Sequence, residues 1–219
     1  MSSRLKPTFR HLVVGLVSVG VSASYGLGAE VSSPGQELVV DPPECLEIPS
    51  GAEALALSGT TRNSPPVSAD DPGFPAAACR SITEQWPVAG TVRGYVTAEA
   101  AVTGPPVGSA EMHAEGCLVL VPPPTVVAEL TITAENGDVL TARIRVPRRP
   151  NSPPAPDNEG SGTGVVTGGT GRFAGASGEF NINAKSHGTV HPGTNVATFR
   201  DIAICGYVAV PEQSELAGF

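Results

Sequence analysis

The chain has 219 residues, including 26 Gly and 22 Pro, with only 16% charged and 5% aromatic residues. So few charges exclude a coiled coil or a long helical array, and glycines without a three-residue period exclude collagen. Acids outnumber bases 21 to 13, and a net charge of −8 with no Lys/Arg block argues against a nucleic-acid partner, which needs a cationic surface for phosphates.

Residues 1–11 carry Arg4, Lys6 and Arg10 and no acid, and residues 12–21 (LVVGLVSVGV) are apolar. Small residues follow at Val21-Ser22-Ala23 and again at Leu27-Gly28-Ala29. A basic start, an apolar run and a small-residue site make residues 1–29 a secretory signal peptide, cleaved after Ala23 or Ala29. The alternative is an uncleaved anchor, but spanning takes roughly 20 mainly apolar residues, and Gly and Ser dilute this run. Cleavage leaves 10 bases and 21 acids, a net charge of −11. No later segment is apolar enough to span a bilayer, so the mature chain is expected to be exported, secreted or periplasmic, with no membrane partner.

Cys45, Cys79, Cys117 and Cys205 remain after cleavage, and an even count in an exported chain predicts two disulfides. Three pairings exist. The expected one is Cys45–Cys79 with Cys117–Cys205, the first tethering an N-terminal segment to itself and the second joining distant strands. The spacings are wide and contain no CxxC, which speaks against zinc.

Residues 30–89 are dense in Pro (SPGQ, DPPE, IPSG, NSPPVSADDPGF), which breaks helices and central strands. They are read as an irregular arm, in which residues 51–59 are too short to assign to helix or strand. From Gly90 the pattern becomes period-two, the mark of half-buried strands. Val92, Gly94, Val96, Ala98, Ala100 and Val102 share one face, opposite Thr91, Arg93, Tyr95, Thr97 and Glu99. After a loop over 103–108, Ala110, Met112 and Ala114 alternate with Glu111, His113 and Glu115. Residues 117–121 are continuously apolar, so that end is expected to be covered on both faces.

The hairpin around Asn136-Gly137 carries the most local information. A two-residue turn would mix apolar and polar residues on each face. A three-residue loop, Glu135-Asn136-Gly137, instead sets Ile132 against Leu140, Leu130 against Ala142, Ala128 against Ile144 and Val126 against Val146. Thr131 then meets Thr141 and Glu129 meets Arg143 on the other face. A slip of one residue inverts every side chain, so burial selects the three-residue loop, with Gly137 left-handed in a bulge. Residues 146–160 read as a long Pro-rich loop. Strand signals resume at 163–167, 177–185, 189–190 and 195–210, with a bulge or break expected at Arg200-Asp201. About eight strands at tight spacing, with no convincing amphipathic helix, predict an all-β fold: a closed antiparallel eight-stranded barrel over 90–210, followed by a tail at 211–219.

Residues 166–175 (VTGGTGRFAG) invite a dinucleotide-binding reading, which fails: Ala174 stands where the third Gly belongs, and a strand pattern follows instead of a helix. Residues 166–180 (VTGGTGRFAGASGEF) resemble the allene oxide cyclase barrel-like superfamily, which includes plant allene oxide cyclases, dirigent proteins and many exported bacterial proteins of unknown role. The hairpin at 129–146 is similar to its bacterial members, and so more loosely is the stretch His113–Gly116. The resemblance spans roughly residues 90–210 and implies an eight-stranded barrel. The motif residues take structural roles: Gly168, Gly169 and Gly171 allow positive φ in a tight corner, Phe173 plugs one barrel end, and Gly175 and Gly178 allow close backbone approach.

An eight-stranded barrel is filled by side chains or holds one small ligand. The many small inward positions (Gly94, Ala98, Ala100, Ala110, Ala114, Ala142) leave room for an apolar molecule. The expected role is therefore a binding scaffold for a small apolar molecule. The first alternative, implied by the resemblance, is a cyclase or isomerase acting on an apolar substrate inside the barrel, although no family site motif carries over. The second is an extracellular interaction or structural protein without ligand. Glu111, His113 and Glu115 are the candidates for acid–base chemistry, but alternation turns them outward. His187 and His191 are read as a surface loop and not as a metal pair, and no cofactor is expected.

Overall fold

A computed structural model describes residues 44–86, 88–121, 123–147, 159–191 and 196–211. The proposed signal peptide, most of the 146–160 loop and the C-terminal tail from 212 lie outside them. The elements are β1 (Glu53–Asn63), β2 (Val67–Ser68), α1 (Ala76–Gln85), β3 (Thr91–Gly104), β4 (Gly108–Leu120), β5 (Thr125–Ala134), β6 (Val139–Pro147), β7 (Glu159–Gly169), a 3₁₀ turn (Gly171–Phe173), β8 (Ser177–His191) and β9 (Val196–Ala209). The sheet runs β1-β9-β8-β7-β6-β5-β4-β3-β2, and β1 also pairs with β3. That last pairing, from Ser58↔Thr103 to Asn63↔Ala98, closes an antiparallel eight-stranded barrel, with β2 as a short extra strand on β3. Closure leaves no long free edge on the eight wall strands.

The β5–β6 hairpin has the register that burial selects. Ile132 pairs with Leu140, Leu130 with Ala142, Ala128 with Ile144, Val126 with Val146 and Glu129 with Arg143. Gly137 has φ 85°, and its N–H donates to the Ala134 carbonyl at 2.9 Å. Arg143 and Glu129 approach to 3.8 Å on the outer wall, an exposed pair contributing about 0.2–1 kcal/mol.

Alternate residues of every wall strand face the axis. Leu55, Leu130, Ile132, Leu140, Phe173 and Phe180 are nearly inaccessible, and burial of each contributes about 1.5–3 kcal/mol. β7 presents Gly160, Gly162 and Gly164 inward, and the Phe180 ring fills the space at Gly164: a Cβ there would lie 2.1 Å from the ring. One bulky ring on β8 thus requires a missing side chain on its neighbour.

Several expectations are corrected. The arm read over 30–89 contains β1, a wall strand, and α1. The inward row of β1, Leu55, Leu57, Gly59, Thr61 and Asn63, has only two large apolar residues, so alternation in hydrophobicity is weak and flanking Pro residues hide the strand. The helix α1 starts directly after Pro75, a residue tolerated at a helix start. It lays Cys79 and Ile82 over Val119 and Val127 on the outer wall, with Trp86, Val92 and Tyr95 around them. This covers Cys117 and Val119 from outside, as the apolar run predicts, but not Leu120, which is 43% exposed. Val92 belongs to that outer cluster and not to the interior, because a register shift between Val92 and Gly94 inverts the parity of β3.

The disulfides are Cys45–Cys205 and Cys79–Cys117, with Cα–Cα distances of 4.9 and 5.7 Å, and not the expected pairs. The expected Cys117–Cys205 bridge would join β4 to β9, which are separated around the wall by β3 and β1. Strands about 4.8 Å apart place those positions roughly 14 Å from each other along the wall, beyond the ~7 Å reach of a disulfide. Each instead points outward and captures a covering segment. β9 runs unbroken through Arg200-Asp201, and the irregularity lies opposite, in β8 between His187 and Val190. His187 and His191 accordingly lie in β8 and not in a loop.

Candidate functional site

The two ends of the barrel differ. One is sealed by the glycine-rich corner. Gly168, Gly171 and Gly175 have φ of 142°, 57° and 72°, the left-handed side that glycine tolerates. At Gly171 a Cβ would fall 1.7 Å from the Asp138 carboxylate, and at Gly178 2.2 Å from the Tyr207 carbonyl. Gly169 packs against Phe173 and the Val139 carbonyl. This folding drives the Phe173 ring into the core, where it is 1% exposed. Arg172 lies over that ring at 4.5 Å, donates to the Pro106 carbonyl, and reaches Asp138 at 4.0 Å. One side chain thereby links the β3–β4, β5–β6 and β7–β8 connections. The glycine motif is the barrel's floor.

Toward the opposite end the interior holds a cavity of about 100 Å³. Its walls include Ala98, Met112, Ala114, Gly116, Ala128, Leu130, Ile144, Ile182, Ala184 and Ile202. The void follows from small residues facing one another: Ala98 pairs with Ala114 and Gly116 with Ala128. Aligned small positions leave a gap that a close-packed interior otherwise lacks. Of the six small positions read from sequence, Ala98 and Ala114 line this cavity, Ala100, Ala110 and Ala142 are packed in the core, and Gly94, paired with Leu118 and Ser68, belongs to neither group.

Val96, Val126 and Val146 complete the apolar wall, and the rest of the lining is polar. Thr61 and Asn63 enter from β1 and Arg200 from β9. Arg200 pairs in register with Thr61 on one side and Ser186 on the other, and the Thr61 hydroxyl donates to the Arg200 carbonyl at 3.2 Å. Thr61 and Ser186 are each 4% exposed. Parity explains the arrangement: Arg200 continues the inward row of Ile202 and Ile204, whereas Asp201 faces out and accepts from the Thr60 hydroxyl at 2.7 Å. These polar residues escape sequence reading. Thr61 and Asn63 sit in the segment read as an arm, and Arg200 is read as an interruption. The available signal is the two-residue spacing of Arg200 from Ile202 and Ile204.

Glu111, His113 and Glu115 face outward, as alternation predicts, and do not reach the cavity. Glu115 accepts from the Tyr95 hydroxyl at 2.8 Å and lies 3.3 Å from Nε2 of His113. Burial, then the Glu115 hydrogen bond and charge, push the Tyr95 phenol up to about 12. The hydrogen bond from Tyr95, followed by that of His113, holds the Glu115 carboxyl below its ordinary range. This cluster supports the outer wall beside α1. Among the described residues no group of three or more His, Cys, Asp or Glu is placed to hold a metal ion.

No family model matches the chain, and no curated protein does. Among solved structures, that of the pterocarpan synthase dirigent protein GePTS1 covers 80% of this chain and 99% of its own, at 16% identity and a TM-score of 0.42.

Proposed function

We propose that the protein is an exported binding scaffold that takes a small apolar molecule, or the apolar end of one, into the barrel cavity. The observation that carries this reading is the void itself, walled by Ala98, Ala114, Ala128, Ile144 and Ile202 and set against a polar row at one side. Dry apolar cavities of about 150 Å³ admit benzene. A space of about 100 Å³ suits a smaller group, on the order of a branched chain of four or five carbons. At about 0.8 kcal/mol per buried CH₂, such a group gains at most about 4 kcal/mol from burial, part of which the cost of association offsets, so the tail alone binds weakly. Export is supported by the N-terminal pattern and by two disulfides, which persist in oxidising compartments.

Binding is preferred to turnover because of what lines the cavity. A cyclase or isomerase that moves protons needs an acid or base within reach of its substrate. Among the described residues the lining offers Thr61, Asn63 and Arg200 but no carboxylate, phenol or imidazole.

Native mass spectrometry of the secreted full chain, with titration of a small neutral hydrocarbon followed by methyl NMR, tests the reading. The expected result is saturable shifts at Ala98, Ala114 and Ile144, lost in Ala114→Phe while the fold and both disulfides persist. A bare mass together with no methyl shifts in the wild type would contradict it.

A further inference from the structure

Asn136-Gly137 is the single Asn-Gly pair in the 219 residues. It stands exposed at the tip of the β5–β6 hairpin, with nothing within 4 Å of the place a Cβ would take at Gly137. We propose that Asn136 is a modification site, a deamidation centre that the closed hairpin shuts and local opening unlocks, and that its conversion loosens the barrel floor. The proposal is independent of the cavity reading above.

Glycine is the follower that permits this reaction most readily, since no side chain hinders its nitrogen. The Gly137 nitrogen gives its proton to a solvent base and attacks Asn136 Cγ. The new C–N bond closes a cyclic imide, and the Cγ–Nδ2 bond breaks to release ammonia. Water then opens the imide at either carbonyl and leaves aspartate or isoaspartate, so water enters, ammonia departs and nothing is oxidised. Three contacts oppose the first step. The Gly137 N–H already donates to the Ala134 carbonyl at 2.9 Å. Asn136 Nδ2 donates to Asp138 Oδ2 at 2.9 Å, and Asn136 Oδ1 accepts from the Asp138 N–H at 3.1 Å. Ring closure must free the nitrogen and turn the amide away from Asp138, so the reaction waits for the tip to open. The product does not close again in the same way. A carboxylate at 136 only accepts, and it meets the Asp138 carboxylate where the amide donated. Isoaspartate also adds an atom to the backbone of a loop whose length sets the β5–β6 register. Asp138 is the group that reaches Arg172 at 4.0 Å and abuts Gly171. Directly beyond it, the Thr170 N–H donates to the Val139 carbonyl at 2.7 Å and joins the hairpin to the glycine corner. A change at Asn136 is therefore passed to the floor through Asp138 and Val139.

The test incubates the full-length mature protein at mildly alkaline pH, native and unfolded in guanidinium chloride, and follows the peptide containing Asn136 by mass and by isoaspartate content. Deamidation of the native protein is expected to be slower than that of the unfolded chain by about tenfold or more. Asp138→Ala raises the native rate severalfold and leaves the unfolded rate unchanged. Asp138→Asn keeps a side-chain acceptor and the backbone donor for the Asn136 amide, and it stays protected. The deamidated protein, separated by ion exchange, is expected to show faster amide hydrogen exchange at Thr170 than the unmodified one. Equal rates in the native and unfolded wild type, or no deamidation in either, overturn the proposal, and that comparison stands even if Asp138→Ala does not fold. A native rate unmoved by Asp138→Ala overturns the role of Asp138. Unchanged exchange at Thr170 in the deamidated protein overturns the link to the floor.

Discussion

Replacing Phe173 with Ala removes the floor of the barrel. The ring is 1% exposed and held in a corner whose glycines fix its direction. Transfer of a Phe side chain from water contributes about 1.5–3 kcal/mol, and a cavity left in a rigid wall brings the usual cost of Phe→Ala to about 3–5 kcal/mol. Relaxation is restricted here, because Gly169 packs directly on Phe173 and Gly171 abuts the Asp138 carboxylate, so the upper half of that range is expected. For a domain of this size the loss corresponds to a fall in Tm of about 8–20 °C. Arg172→Ala removes only the latch. Its exposed ion pair and cation–π contact predict a loss of about 1–2 kcal/mol. Phe173→Leu keeps most of the volume and falls near the latch variant. Urea unfolding followed by circular dichroism, with the disulfides intact, measures all three. Phe173→Ala within 1 kcal/mol of the wild type would refute the reasoning, since it would mean the ring fills nothing.

Three further outcomes follow from other parts of the molecule. Non-reducing peptide mapping finds Cys45–Cys205 and Cys79–Cys117, and Cys79→Ser with Cys117→Ser costs about 4 kcal/mol for a separation of 38 residues in the chain-entropy model; a Cys117–Cys205 peptide would contradict the fold. Gly137→Ala costs about 1–2 kcal/mol from φ 85° alone, because nothing lies within 4 Å to clash, and Gly137→Asn recovers most of it, as equilibrium unfolding will show. Ultraviolet titration of Tyr95 ionises it near 12, so the stability it contributes is complete below pH 10 and lost as pH rises from 10 to 12. Glu115→Gln lowers that value only part of the way, because burial is the larger cause; an unchanged value would show that Glu115 plays no part.

Elements governed by local rules could be read from the sequence, and elements governed by closure could not. The β5–β6 register follows from one glycine turn and the burial of Ile132, Leu130 and Ala128, all within a few residues of each other. The floor follows from glycines that accept the positive φ a tight corner requires. By contrast, β1 has Leu55 and Leu57 on its inward row followed by Thr61 and Asn63, so its alternation reads as polar. Its membership of the wall is decided by β9 and β3, whose paired residues lie at least 35 positions away in sequence. Disulfide pairing depends on which strands are neighbours around the barrel, which four cysteine positions cannot reveal. The candidate site combines both cases. Ala98 and Ala114 announce a gap, but Arg200 becomes a wall residue only when the parity of β9 is tied to a closed sheet.

The most direct test of the central claim is a crystal structure of the mature protein under xenon pressure. A closed sheet joined by β1 and β3, with xenon between Ala98, Ala114 and Ala128, is the expected result. An open sheet, or a closed barrel whose interior is filled by side chains and takes no xenon, would contradict the account.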